Sequence, residues 1–291
     1  MNRIAETELI LNADGSVYHL NLLPGDIAET IITVGDPERV VQVSRYFDHL
    51  ELKKSKREFV THTGTIGGKK VTVISTGIGT DNIDIVMNEL DALVNIDLQT
   101  RLPKAQLQKL NIIRIGTSGA IQADITIDSL LVSGAVFGMD TLMHYYEHPV
   151  SEHEIELLDS FKAALPKASN FSPYVASADS WLINKLATGL QQGITITAPG
   201  FYAPQGREVR AKAVYPNLME AIQNFNLNGK RITNLEMETA GIYGMAALLG
   251  HRAISFNVIL ANRATKTFSK QPEQVMDNYI RQVLNKLEDI L

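Results

Sequence analysis

The chain contains no cysteine, so disulfide scaffolding, thiolate catalysis and cysteine metal sites are excluded together. It also lacks an excess of basic charge: 27 Lys and Arg stand against 32 Asp and Glu, for a formal net charge of -5. A surface for nucleic acid or an anionic membrane would need a basic stripe, and neither partner is expected. No apolar run reaches the length of a membrane span. Internal repeats, low-complexity tracts and linkers rich in proline or serine are missing too, as is the charged-then-apolar pattern of a signal peptide. What is present is ordinary globular composition, 45% hydrophobic and 20% charged over 291 residues. The expectation is a cytoplasmic enzyme built around one large core, with residues 1–291 forming a single domain.

Apolar patterning alternates between periods of two and of three to four along the chain. Residues 30–34 make a short apolar strand ending at Gly35, after which Asp36-Pro37 opens a helix with proline in the first turn. Residues 57–76 read as a hairpin around Gly67-Gly68 that runs into Gly77-Ile78-Gly79. Ile83, Val86, Met87, Leu90 and Leu93 then mark one face of a helix. The segment 95–109 reads as an irregular surface connection. Further strands are expected near 111–116, 129–136, 173–178, 231–235 and 252–260. Further helices are expected near 152–164, 179–190 and 237–249, and from Pro272, the last with Val275, Tyr279, Val283 and Leu287 as its apolar edge. Strands alternating with helices over the whole length indicate an α/β fold whose ligands sit at the carboxyl ends of strands.

Chemistry concentrates at those strand ends. In Asn111-Ile-Ile-Arg-Ile-Gly-Thr-Ser-Gly119, Arg114 lies inside an apolar run and needs a negative partner, while the turn that follows offers glycines and hydroxyls to an anion. The plainer reading is an arginine paired with a core carboxylate. Arg39 and Arg57 also stand beside turns, although Arg57 follows Lys53, Lys54 and Lys56, which read as a solvated charge run. Glu236 and Glu238, two apart at a strand end, point the same way and are placed to accept hydrogen bonds from a polyol; as a helix N-terminus they would simply oppose its dipole. Phe201, Gln205 and Arg207 combine a stacking face with donors and an acceptor for a planar heterocycle.

Taken together these segments resemble the nucleoside phosphorylase family, in particular its uridine phosphorylase branch. The resemblance runs from about His19 to the end of the chain and is carried by Gly-Asp-Pro-Glu-Arg at 35–39, Arg-Glu-Phe at 57–59 and Ser-Thr-Gly-Ile-Gly at 75–79. It continues through Arg-Ile-Gly-Thr-Ser-Gly at 114–119, Glu-Met-Glu at 236–238 and Asn262-Arg263. It implies a single phosphorylase domain with a three-layer α/β/α sandwich around a central mixed, partly barrel-like sheet. It implies phosphate held by Gly35, Arg39, Arg57, Arg114 and Thr117, ribose by His19, Met237 and Glu238, and uracil by Gln205 and Arg207 beside Phe201. Arg114, Arg207 and Glu238 are the implied catalytic residues, with Arg263 orienting Arg207. His19 and Arg57 would reach in from a neighbouring subunit of a homo-oligomer, a dimer or a trimer of dimers.

The reaction so implied is phosphorolysis of a pyrimidine nucleoside, with inorganic phosphate as co-substrate and no cofactor. Purine-specific relatives use an aspartate after the strand equivalent to 252–260, whereas Ile254 to Arg263 contains no carboxylate. The family's monovalent-cation position matches Glu58, Ile78 and Asn82, where relatives often carry serine in place of Asn82, so potassium is the one ion to consider. Segment 95–110 looks longer than in compact bacterial relatives. Three rival readings remain: a nucleosidase of the same fold that uses water, a binding module without catalysis, and a zinc peptidase through His144, Glu147 and His148, although Pro149 stops a helix at the second ligand.

Overall fold

The computed structural model describes residues 3–167, 169–288, 290 and 291. In chain order it forms β1 (Thr30–Val34), α1 (Pro37–Ser44), β2 (His49–Lys56), β3 (Phe59–Ile66), β4 (Lys69–Ser75), α2 (Thr80–Asn95), β5 (Ile96–Asp97) and β6 (Leu102–Pro103). There follow β7 (Asn111–Ala120), β8 (Leu130–Gly138), α3 (Glu152–Ala164), β9 (Tyr174–Ser177), α4 (Ser180–Leu186), β10 (Gln191–Thr197) and α5 (Leu218–Asn224). The chain continues through β11 (Asn226–Leu227), β12 (Lys230–Glu236), α6 (Thr239–Leu249), β13 (Arg252–Asn262), β14 (Thr267–Phe268) and α7 (Pro272–Leu287).

β-Branched runs buried along their length make the centre of the sheet: β1, β7 and β13 lie side by side and parallel. The main sheet has 12 strands: ten follow in the order β11-β12-β10-β8-β13-β7-β1-β4-β3-β2, and β9 and β14 pair at its side with β8 and β13. One further pairing changes its shape. Asn234 and Leu235 of β12 pair antiparallel with Ala120 and Gly119 of β7, so β7, β13, β8, β10 and β12 close into a ring. This is the partly barrel-like sheet that the resemblance implied.

Alternation along β7 sorts its side chains between layers. Ile112 joins the core beneath α2 and α6. Ile113 and Ile115 join the core that α1, α4 and α7 cover on the other face. A third apolar cluster seats α3 and α5 against the ring through Phe137, Phe161, Ile196 and Ile222. Each fully buried aliphatic side chain contributes about 1.5–3 kcal/mol relative to exposure. Arg114 shares the face of Ile112 and therefore projects toward the start of α6. Among the described residues no helix is long and apolar enough to cross a membrane.

Several elements depart from expectation. The lysine-rich segment before Arg57 is the edge strand β2, with alternate residues turned outward; Lys54 bonds Asp26 (2.7 Å) and Lys56 bonds Asn12 Oδ1 (2.9 Å). Charged side chains suit an edge that must not pair with another chain. The helix expected over 179–190 stops at Leu186, and the β-branched run Ile194-Thr-Ile-Thr197 makes β10. Segment 95–109 carries the small β5–β6 hairpin, and its Arg101 donates to the Leu9 carbonyl (2.6 Å). In α7 the buried stripe is Met276, Ile280, Val283, Leu284 and Leu287, with Val275 and Tyr279 only flanking it.

Candidate active site

The carboxyl ends of β1, β4, β7, β12 and β13 converge on a cavity of about 780 Å³. Each wall has a local cause. At the end of β1, Asp36 accepts a hydrogen bond from the Glu38 backbone N–H (2.9 Å) and Pro37 supplies the first turn of α1, which sets Arg39 on the cavity wall beside Gly35. At the end of β4, Gly79 adopts φ 97° and turns its N–H onto Glu238 Oε1 (3.0 Å). A side chain would disfavour that backbone.

Arg114 is the electrostatic centre. Its Nη2 donates to Glu238 Oε2 (2.6 Å) and lies 3.1 Å from Glu236 Oε2, while Nη1 donates to Asn257 Oδ1 (3.2 Å). Burial opposes its charge, but Glu236 and Glu238 outweigh that and raise its pKa above the ordinary value. The two readings of Arg114 therefore merge: it pairs with core carboxylates and also lines the cavity with Gly116, Thr117, Ser118 and Gly119.

The two glutamates divide their work. Glu236 Oε2 accepts from the backbone N–H groups of Glu238 (2.9 Å) and Thr239 (2.8 Å) and from the Thr239 hydroxyl (2.7 Å), and Oε1 accepts from the Thr197 hydroxyl. It holds the first turn of α6, as a carboxylate at a helix N-terminus would, while both Glu236 and Glu238 line the cavity. That capping also delays α6 to Thr239 and leaves Met237 and Glu238 as non-helical cavity wall.

Among the described residues Arg39, unlike Arg114, makes no salt bridge. Its Nε is buried without a hydrogen-bond partner. Burial lowers its pKa, and the charge of Arg114 acts in the same sense against the opposing pull of Asp36. A half-buried cation whose charge is opposed by a second one, with a buried donor unspent, makes a place for an anion.

At the other end of the cavity Phe201, Gln205 and Arg207 meet as expected. The Arg207 guanidinium lies 3.8 Å from the Phe201 ring centroid and its Nη1 donates to Gln205 Oε1 (2.7 Å) and the Phe201 carbonyl (2.6 Å). Arg263 acts on the loop rather than by a hydrogen bond to Arg207. It clamps the backbone carbonyls of Gln205 and Gly206 and so fixes the loop that carries Arg207. Burial, then the charge of Arg263, lowers the Arg207 pKa. Leu260, Ala261 and Phe268 complete this end; sequence reasoning missed all of them, and Phe268 arrives through β14, a strand of two residues with no periodicity to read.

Arg57 and His19 are not brought to the cavity. Arg57 is exposed at the β2–β3 turn with φ 55°, and His19 Nδ1 bonds Glu89 Oε1 (2.6 Å). Glu58, Ile78 and Asn82 meet at the cavity rim, but the Asn82 Nδ2 group points at the Ile78 carbonyl (3.4 Å), which presents an N–H where a cation needs oxygen. As placed, these residues do not fit potassium within one chain. His144 and His148 each bond a backbone carbonyl, of Ser172 (2.7 Å) and Val175 (3.2 Å). Among the described residues no group of three or more His, Asp or Glu is arranged to hold a metal ion, and nothing supports the peptidase reading.

The family model described as Phosphorylase superfamily matches residues 29–291. The chain belongs to this superfamily. It is 31% identical over 265 residues to a uridine phosphorylase of Thermococcus kodakarensis, spanning 90% of this chain and 83% of the relative. It is 30% identical over 254 residues to a uridine phosphorylase of Haemophilus influenzae, spanning 85% of this chain and 86% of the relative. Among solved structures it resembles a Trypanosoma brucei nucleoside phosphorylase described as showing uridine phosphorylase activity, with a TM-score of 0.84, 30% identity and coverage of 96% of this chain and 99% of that one.

Proposed function

We propose that this protein cleaves uridine with inorganic phosphate, releasing uracil and ribose 1-phosphate, and that the whole chain acts as one phosphorylase domain in the cytoplasm. The observation that carries the reading is Arg39, a half-buried cation whose buried Nε is unspent and whose charge is opposed by that of the buried Arg114. Water as nucleophile would give that pair nothing to bind. Phosphate, divalent or monovalent, satisfies both arginines together with the Thr117 hydroxyl and the backbone at Gly35. Glu238 accepts from ribose hydroxyls beside Met237, and Phe201, Gln205 and Arg207 take the base.

In the reaction a phosphate oxygen forms a bond to C1′ as the C1′–N1 bond breaks. The bonding pair leaves with uracil, whose carbonyl oxygens carry the charge until N1 takes a proton. The sugar is positive between these events, and the bound phosphate stabilises it before bonding to it. Arg207 and the Gln205 amide bind the departing anion more strongly than neutral uracil, which is what lowers the barrier. Arg57 and His19 complete a neighbouring protomer's site in a homo-oligomer, a reading supported by their position outside their own cavity. No step requires potassium. The test is uracil release from uridine with and without phosphate: release that depends on phosphate and yields ribose 1-phosphate is expected, and equal rates would establish hydrolysis instead.

A further inference from the structure

The closed ring of strands is hydrogen-bonded on its inside by polar side chains that run in one direction. Arg114 on β7 donates to Asn257 Oδ1 on β13 (3.2 Å), and Asn257 Nδ2 donates to the Ser133 hydroxyl on β8 (2.9 Å). Ser133 and Thr195 on β10 are 2.6 Å apart; Thr195 donates to Asn234 Oδ1 on β12 (2.9 Å), so Ser133 is the donor between them. Asn234 Nδ2 donates to the Ser118 hydroxyl on β7 (2.7 Å), and Ser118 donates to the Leu235 carbonyl (2.8 Å), next to Glu236. Every strand of the ring contributes a member, and Ser133, Thr195, Asn234 and Asn257 are wholly buried.

The direction is dictated at one end. A guanidinium only donates, so Asn257 must turn its carbonyl oxygen toward Arg114 and its amide toward Ser133, and each hydroxyl in turn has its proton committed to the next acceptor. Bonds aligned in this way polarise one another. Asn257 is also neutral. Arg114 already faces two carboxylates, and a third anion at this position would oppose phosphate, whereas an amide oxygen fixes Nη1 without adding charge.

We infer that Asn257 is a positioning residue for phosphate binding: through the belt it locks the plane of the Arg114 guanidinium. This inference rests on phosphate occupying the Arg39–Arg114 end of the cavity. Asn257 does not line that cavity and acts only through Arg114.

The experiment compares native protein with Asn257→Leu and Thr195→Val by calorimetric titration with inorganic phosphate and by steady-state kinetics. Asn257→Leu should weaken phosphate binding and raise the phosphate KM by about tenfold, the usual worth of a hydrogen bond to a charged group, with the uridine KM changed by less than about twofold. Thr195→Val breaks the belt at a residue that touches neither Arg114 nor the cavity, and should shift phosphate binding in the same direction by about threefold. A merely structural role would lower the melting temperature without separating the two KM values. Unchanged phosphate binding in a folded Asn257→Leu protein overturns the inference; if that variant does not fold, unchanged binding in Thr195→Val does so. Native protein that fails to bind phosphate overturns phosphorolysis itself, and this inference with it.

Discussion

Gly116 and Arg114 occupy each other's space: a Cβ at Gly116 would fall 2.1 Å from Arg114 Nη1. The arginine folds back along its own strand, and only glycine two residues on leaves it room. Gly116→Ala should therefore displace the guanidinium from Asn257 and Glu238. Overpacking of this kind costs about 1–3 kcal/mol of stability. Phosphate affinity should fall with it, by about tenfold. Denaturant unfolding and phosphate titration check the two effects, and native values for both would mean that Arg114 can lie elsewhere without loss.

Arg39 should matter more to phosphate than to any other ligand. Its buried Nε is unspent, in contrast to Arg114, which Glu236 and Glu238 already satisfy. Arg39→Ala should raise the phosphate KM by about a hundredfold, since charge-assisted bonds to an anion are lost together with a favourable charge. The protein should be no less stable, because removing a half-buried cation that Arg114 repels relieves its desolvation. Kinetics at varied phosphate and thermal melts without phosphate provide the measurement; a large drop in melting temperature would assign Arg39 to the fold instead.

How far this arrangement could be read in advance depended on whether a residue's role was local. Arg114 in an apolar run announced itself, because an isolated guanidinium among Ile112, Ile113 and Ile115 demands compensation. Asn257 gave the same signal in the apolar strand Ile254 to Leu260, but its partner Ser133 lies 124 positions earlier and only ring closure joins them. For Glu236 the sequence offered both a helix start and a pocket, and only the bonds it accepts from Glu238 and Thr239 show how it holds that turn. The β2 lysines looked solvated, and half of each alternation is; the strand they form became visible only as the partner of β3.

Arg207 should act on the base alone. It stacks on Phe201 and shares Gln205, while Arg39 and Arg114, the proposed phosphate ligands, line the cavity elsewhere. Arg207→Ala should lower kcat for uridine by about a hundredfold, the usual cost of removing one donor that stabilises transition-state charge. Phosphate binding measured by titration should stay within about twofold of native. Loss of both together would show that the 201–207 loop had collapsed.

Asp140 provides a pH signature outside the chemistry. It is buried just after β8, accepting from the Leu142 backbone N–H (2.9 Å) and from the Tyr174 hydroxyl (3.0 and 2.9 Å to its two oxygens). Burial outweighs these hydrogen bonds and raises its pKa above the ordinary 3.8. A carboxyl that holds its proton more tightly when folded contributes stability that is fully present below the unfolded pKa and is lost as pH rises through the folded one. Asp140→Asn abolishes that dependence, since the amide does not titrate and its oxygen still accepts from Leu142 or Tyr174. The stability of the native protein relative to Asp140→Asn should therefore fall as pH rises from about 4 toward neutrality, then level off. Urea unfolding of both proteins at several pH values measures the gap; parallel profiles would show that Asp140 titrates as an ordinary carboxylate and that its burial costs the fold nothing.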